Sequence, residues 1–301
     1  MISSLNKNSL YAILLLFCLG FTWGTSFSIA KFAMESGITP LGYSFWQSLG
    51  PAIIVLIFAL IQNRKLPPLN SKHIVFYFIC GLLGIALPNL TMYFSASHVP
   101  SGILGLIVNT SPIITYILSL LFLIEKFSWQ RSSGILLGFL GIFILFFPKL
   151  SNYSEYKWML FSLFTPFFLA SCTIYMVKYR PSKTSSIELS SGMLFASTLL
   201  ILPLVIFSNA FHPISFPLNT PDLFIIIEII LSSIGYILFF ELLRIAGPVF
   251  YSLVGCIVAL AGLFWGYIIF NENIKPIEWL SVLLILSAII LVTKKKINDQ
   301  S

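Results

Sequence analysis

Long apolar runs, each closed by charge, proline or a polar cluster, dominate the chain from end to end. Ten of them reach or approach the roughly 20 residues that a helix needs to cross a bilayer. They lie near 10–31, 42–62, 74–94, 102–123, 132–148, 158–178, 188–208, 222–243, 249–270 and 276–293. The connections are short. The longest polar interruption, Asn209 to Pro221, is proline-rich and holds no more than an interfacial loop. The first run lacks an A-x-A cleavage site and carries Thr22-Trp23-Gly24-Thr25-Ser26, so it reads as an uncleaved first span.

Composition agrees with this pattern. Of 301 residues 58% are hydrophobic and 9% charged, with a mean hydropathy of +0.98. A soluble domain of this size cannot bury so much apolar surface and still cover itself with polar groups. The fold class expected is therefore an all-α integral membrane protein. The net charge of +7 does not point to nucleic acid, because the basic residues sit in short clusters between apolar runs. With the N-terminus inside, thirteen of them face the cytoplasm: Lys7, Arg64, Lys65, Lys72, Lys126, Arg131, Lys178, Arg180, Lys183, Arg244 and Lys294 to Lys296. Only Lys31, Lys149, Lys157 and Lys275 fall outside. That bias places both termini in the cytoplasm and requires an even number of spans. The four cysteines fall one in each of four separate runs, without CxxC spacing, and read as small apolar fillers.

A shift of 147 residues superposes the apolar runs of the two halves without a gap, dividing the chain into 1–150 and 151–301. It sets Lys31 on Lys178, Glu125 on Glu272, and Thr115 and Ser119 on Gly262 and Gly266. Each half then holds five spans. Five is odd, so the halves enter the membrane in opposite directions, an arrangement typical of secondary transporters with a midplane site between the repeats. The small residues of spans four and nine predict a close contact between those two spans.

The first-span segment Phe21-Thr22-Trp23-Gly24-Thr25-Ser26-Phe27 resembles the drug/metabolite transporter superfamily, EamA-type. So does the order of Ser95-Ala96-Ser97, Pro112, Glu125 and Gly134, Gly138 and Gly141 in the first half, with Gly247-Pro248-Val249-Phe250 and Glu272-Asn273 in the second. The chain departs from that family at Gln47, where members often carry arginine, and at Ala259, where the mate of Pro112 would stand. The resemblance implies ten helices, a multi-pass location in the cell inner membrane, and export or exchange of small metabolites, often amino acids.

Polar side chains deep in a span usually face the bundle or a water-filled cavity. Glu228, flanked by isoleucines, lies about 6 Å from the centre of its span at 1.5 Å per residue. It is the candidate to carry a coupling proton or bind a substrate amine; the alternative is helix packing. Trp23, Asn89 and Asn109 lie at similar depth and are candidates to line the same cavity, with interhelical hydrogen bonding the competing role for the two asparagines. Pro88 is expected to loosen span three by removing a backbone donor. Tyr93, Tyr175 and Tyr236 complete the candidate substrate-binding set with Gln47, and Tyr236 occupies the repeat position of Asn89. Trp265 reads as packing. Glu241 and Arg244, three apart at the cytoplasmic end of span eight, form a candidate ion pair or inner gate. Glu125 and Glu272 are expected to cap neighbouring helix N-termini, and Lys31 and Lys178 to snorkel to the interface.

The histidines share no metal spacing, and no GxxxxGK[ST] loop, H-E-x-x-H or G-x-S-x-G occurs, so neither cofactor nor hydrolase chemistry is expected. The function predicted is a secondary transporter of small metabolites, most readily amino acids or related compounds, working by alternating access with protons as a candidate coupling partner. An obligate exchanger of a nucleoside-like metabolite such as S-adenosylmethionine is the alternative. A membrane enzyme on lipid-linked substrates is the rival of a different class. The partners expected are the small-molecule substrate and the lipid bilayer, without nucleic acid.

Overall fold

The structure, a computed structural model, describes residues 7–63, 66–147, 153–182, 184–251, 254–272 and 275–293. Arg64, Lys65, Lys149, Lys183, Asn273 and Lys294 to Lys296 lie outside the described residues. So do the side chains of Lys7, Arg244 and Gly247-Pro248-Val249-Phe250.

The described residues form helices α1 (Lys7–Glu35), α2 (Pro40–Asn63), α3 (Ser71–Gly81), α4 (Leu87–Ala96), α5 (Ser101–Val108), α6 (Ser111–Leu121), α7 (Trp129–Phe146), α8 (Tyr153–Ser162), α9 (Phe164–Tyr179), α10 (Ser186–Phe207), α11 (Thr220–Tyr251), α12 (Val254–Phe270) and α13 (Pro276–Thr293). No strand occurs among them. In hydrocarbon every backbone donor and acceptor must be satisfied within its own segment, which leaves helices as the solution for runs as apolar as these. Eight spans are long and apolar enough to cross a membrane, and the shorter apolar helices Val254–Phe270 and Pro276–Val292 bring the total to ten. The protein is thus an all-α, multi-pass membrane protein. Large apolar side chains such as Phe17, Ile61, Leu136 and Phe143 point outward, as lipid-facing positions do.

Among the described residues three spans are interrupted. In span three, α3 and α4 are joined by a π-helical turn, Leu82–Ala86, in which the Leu87 amide donates to the Leu82 carbonyl five residues back. Pro88 follows at once, and its missing donor is accommodated by this local widening, a common device in membrane helices. Span four breaks after Val108, where Asn109 closes α5 and Pro112 sits in the first turn of α6. Span six breaks at Leu163, between α8 and α9.

Span eight corrects the sequence reading. It was expected to end at residue 243 and span nine to begin at 249, whereas α11 runs on to Tyr251. Gly247 and Pro248 would commonly end a helix soon after Arg244, yet α11 passes through both. Pro248 removes only one backbone donor, so the apolar segment from Ile245 continues the helix.

Packing follows the 147-residue shift. Span one (α1) lies against spans eight and nine (α11, α12), and span six (α8, α9) lies against spans three and four (α4, α5, α6). Spans two, four and five pack on their own counterparts: α2 on α10, α5 on α12, and α7 on α13. In the last pair, Gly134, Gly138 and Gly141 form a groove on α7. A Cβ at Gly134 would stand 2.9 Å from Val292 Cγ2, and one at Gly141 2.7 Å from Ile285 Cγ1. The absence of glycines on span ten is complementary, because α13 supplies the side chains that fill the groove at Gly134 and Gly141, with Ile113 of α6 filling it at Gly138.

Spans four and nine do meet, with Gly262 and Gly266 of α12 facing α5 as expected, but the residues of span four are others. Thr115 and Ser119 lie on α6, which packs on α9. The close approach to α12 is made by α5, where a Cβ on Gly102 would lie 2.9 Å from the Leu263 Cα. The break after Val108 separates the two halves of span four and sends them to different neighbours.

Candidate functional site

Glu228 is 2% exposed, on the face of α11 turned toward α1 and α2. Its Oε1 accepts a 2.7 Å hydrogen bond from Ser232 Oγ, one turn further along the same helix. Ser232 in turn accepts from Gln47 Nε2 on α2 at 3.2 Å. The Asn89 amide on α4 donates to Gln47 Oε1. A continuous chain of hydrogen bonds therefore runs Asn89–Gln47–Ser232–Glu228 through spans three, two and eight. Gln47 and Ser232 are themselves buried, so the chain lies in a low-dielectric interior where each link is strengthened and each lost partner is costly.

The other side of the carboxylate is formed by hydroxyls. Ser26 of α1 and Tyr43 of α2 both face Glu228. Both hydroxyls aim at the carboxylate: Ser26 Oγ and Tyr43 Oη are buried beside Glu228 Oε2 and fall just short of strict hydrogen-bond geometry. Three polar groups thus converge on one point and are only loosely joined. An unmet buried polar atom costs about 1–3 kcal/mol, which favours a proton, a cationic group or water at that point.

Aromatic rings frame this buried polar cluster. Tyr93 of α4 meets Tyr43 edge-on, with centroids 4.8 Å apart. Trp23 of α1 meets Tyr236 edge-on at 6.3 Å and Phe239 at 6.0 Å, both on α11. Gly235 makes this possible, since a Cβ there would overlap the Trp23 indole nitrogen. The next residue, Gly24, brings the backbones of α1 and α12 together, with a Cβ placed 2.9 Å from the Val258 carbonyl. The Trp23-Gly24 pair of the first-span segment therefore has two separate jobs, one ring against α11 and one bare backbone against α12.

Of the residues singled out from sequence, the structure gathers Trp23, Gln47, Asn89, Tyr93, Glu228 and Tyr236 in or beside this cluster. Asn109 stands elsewhere. Its Nδ2 donates 2.7 Å to the Gly105 carbonyl, closing α5, and its Oδ1 lies beside Gly255 of α12. Tyr175 on α9 stacks with Phe76 and Tyr179, in the apolar cluster that Tyr236 and Phe239 border. Glu241 is half-buried on α11; the side chain of Arg244 is outside the described set, so no pairing between them is assigned.

Three residues of the pocket escaped sequence reading. Ser232 carried a usable signal, because it lies four residues from Glu228 and so on the same helix face. Ser26 sits within the first-span segment, but its partner on α11 has no local trace. Tyr43 had no signal at all: it stands near the start of span two and meets Glu228 only through tertiary packing.

The EamA-like transporter family model matches the chain twice, over residues 10–147 and 156–294. Protein PecM of Dickeya dadantii is 25% identical over 272 residues, covering 90% of this chain and 88% of its own. The S-adenosylmethionine/S-adenosylhomocysteine transporter of Chlamydia trachomatis serovar L2 is 24% identical over 278 residues, 88% of this chain and 84% of its own. The uncharacterized inner membrane transporter YedA of Escherichia coli K12 is 36% identical over 134 residues, 43% of this chain and 42% of its own. A solved crystal structure covers 93% of this chain and 96% of its own with a TM-score of 0.63 at 15% identity, a likeness of fold.

Proposed function

The chain belongs to the EamA-like transporter family, and from that premise we propose that it carries a small amine-bearing metabolite, an amino acid or a close relative, across the bacterial inner membrane. Transport is by alternating access of the two repeats, 1–150 and 151–301, with protons as the coupling ion. The observation that carries this reading is the buried Glu228 carboxylate, with one oxygen held by Ser232 and the other turned toward the hydroxyls of Ser26 and Tyr43. A carboxylate removed from water demands either a proton or a cation, and a binding site that exchanges the two couples their movements. Gln47 and Asn89 supply neutral hydrogen-bonding groups for the polar remainder of a substrate, and Trp23, Tyr93 and Tyr236 supply ring edges and faces.

The test is uptake of radiolabelled amino acids into proteoliposomes, with and without a pH gradient, by wild type and Glu228→Gln. Gradient-driven flux that vanishes in the variant supports the proposal. Flux that survives the substitution removes Glu228 from the coupling step.

A second reading has its own support. A relative covering 88% of this chain is named for S-adenosylmethionine and S-adenosylhomocysteine. S-adenosylmethionine carries an ammonium and a sulfonium, both suited to a buried carboxylate framed by aromatic rings. Under that reading, flux requires solute on the opposite side of the vesicle and shows no dependence on a pH gradient. Counterflow of labelled S-adenosylmethionine distinguishes the two.

A further inference from the structure

The repeat brings together, at one end of the bundle, residues that the pocket does not use. Lys31 Nζ of α1 pairs with Glu272 Oε1 at 2.7 Å, just past α12, and the two side chains are only 16% and 13% exposed. The same carboxylate accepts from the Ser101 amide at 2.9 Å, the Gly102 amide at 3.3 Å and Ser101 Oγ at 3.2 Å, at the start of α5. A Cβ on Gly266 would collide with Glu272 Oε2, so that glycine leaves the space in which the carboxylate sits. Spans one, four and nine are tied into one knot at the end that loop charges place outside.

The corresponding residues at the other end are not tied. The backbone around the two glutamates matches across the repeat: Glu125 donates from its amide to Ser119 O at 3.2 Å, and Glu272 to Gly266 O at 3.1 Å. The side chains do not match. Glu125 pairs with Arg131 of α7 and is 39% exposed. Lys178 is exposed, with its Nζ 5.9 Å from the Tyr179 ring centroid. The partners of Ser101 and Gly102 under the same shift, Pro248 and Val249, lie within α11 and not at a helix start. Span four diverges accordingly, its outer half α5 packing on α12 and its inner half α6 on α9.

We propose that Lys31–Glu272 and Lys178–Glu125 are alternate locks, formed one at a time, and that this structure is the state closed to the outside. Each lock joins the end of the first span of one repeat to the end of the fourth span of the other. Closing either one draws spans four and nine together at that end of the membrane and opens them at the opposite end. Inverted repeats make this reciprocity natural, because the same sequence elements face opposite sides. A broken lock leaves its charges in a vestibule that has opened to water, which limits the cost of separating them. Ser119 stands where Gly266 stands in the other repeat, and its hydroxyl is a ready donor to the Glu125 carboxylate once that lock forms.

The experiment uses the purified full chain with Cys18 and Cys256 changed to Ser. Spin labels go on Ser97→Cys, between α4 and α5, and Ile268→Cys on α12, both exposed positions at the tied end. Without any solute present, Lys31→Met and Glu272→Gln are each expected to add a longer label-to-label distance to the distribution of the parent. Adding Lys178→Met to either is expected to remove that population, because the competing state then loses its own lock. An unchanged distribution in folded Lys31→Met overturns the proposal and leaves Glu272 a helix cap. A lengthening that Lys178→Met fails to reverse overturns the reciprocity. Lys31→Met leaves the amide contacts of Glu272 in place, so it stays informative if Glu272→Gln does not fold. No transported compound enters the measurement, so its outcome is independent of the substrate proposed above.

Discussion

Gln47 and Ser232 stand 185 residues apart in the chain and share one buried hydrogen bond of 3.2 Å. That bond joins the amide pair of spans two and three to the carboxylate of span eight. Without it, Asn89 and Glu228 belong to separate parts of the molecule. The Gln47 side chain donates toward the carboxylate and accepts from Asn89, a pair of roles that its amide fills and that a guanidinium, which has no acceptor, cannot.

Gln47→Leu is therefore expected to leave the Asn89 amide without its acceptor and Ser232 without its donor. Loss of a partner to buried polar groups costs about 1–3 kcal/mol. A lower melting temperature in detergent and reduced uptake in proteoliposomes are the outcomes to look for. Gln47→Glu keeps the shape but adds a second carboxylate to the chain that ends on Glu228, and is expected to impair uptake more than it impairs stability.

Gly235→Ala places a methyl group against the Trp23 indole nitrogen. Overpacking of a filled interior typically costs about 1–3 kcal/mol. The smaller ring of Trp23→Phe is expected to recover part of that loss in the double variant. Thermal melting of the two single variants and the double variant gives the coupling directly, and strict additivity would refute the contact.

On α7, Gly138→Leu fills the groove where a Cβ would already lie 2.5 Å from Ile113 Cδ1 of α6 and 3.4 Å from the Ala288 Cβ of α13. Spans five and ten stand away from the Glu228 pocket. The expected result is lower thermal stability with the substrate preference unchanged, measured by competition uptake at a temperature where the variant is folded.

Asp222 organises the connection before span eight. It accepts from His212 Nε2 at 2.9 Å, from Ser215 Oγ at 2.6 Å, and from the Ser215 and Asn219 amides, each at 3.2 Å. Its own exposure is 0%. Asp222→Ala removes all four acceptor contacts, each worth about 1.5–3 kcal/mol when the acceptor is charged, though not additively. Residues 208–219 are then expected to become sensitive to protease added outside intact cells. Cleavage appearing only in inverted vesicles would reverse the assigned topology.

Among the individual residues, some roles were legible and others were not. Glu228 stood out because a carboxylate among isoleucines in a span has few inexpensive explanations. Glu272 was readable as a helix cap from its place at the end of a span. Lys31 was not readable as its partner: a lysine near a helix end snorkels by default, and only the approach of α12 to α1 turns it inward. Asn109 and Asn89 looked alike in depth and composition. One closes a helix break and the other donates to Gln47, a difference set by the break after Val108 and by the rotation of α4 that follows the π-helical turn.

The sequence alone determined what the bilayer demands. Apolar length, basic loops and an offset of 147 residues define spans, orientation and repeat, because each is read along one dimension and is enforced by lipid, by charge at the membrane surface or by duplication. The tertiary structure decided everything that depends on rotation of one helix against another. Spans apolar all round carry little record of which face meets which neighbour, since lipid and protein interiors are equally apolar. Only packing brings Tyr43 and Ser26 to Glu228, and only packing ties Lys31, Glu272 and Ser101 together at one end of spans one, four and nine.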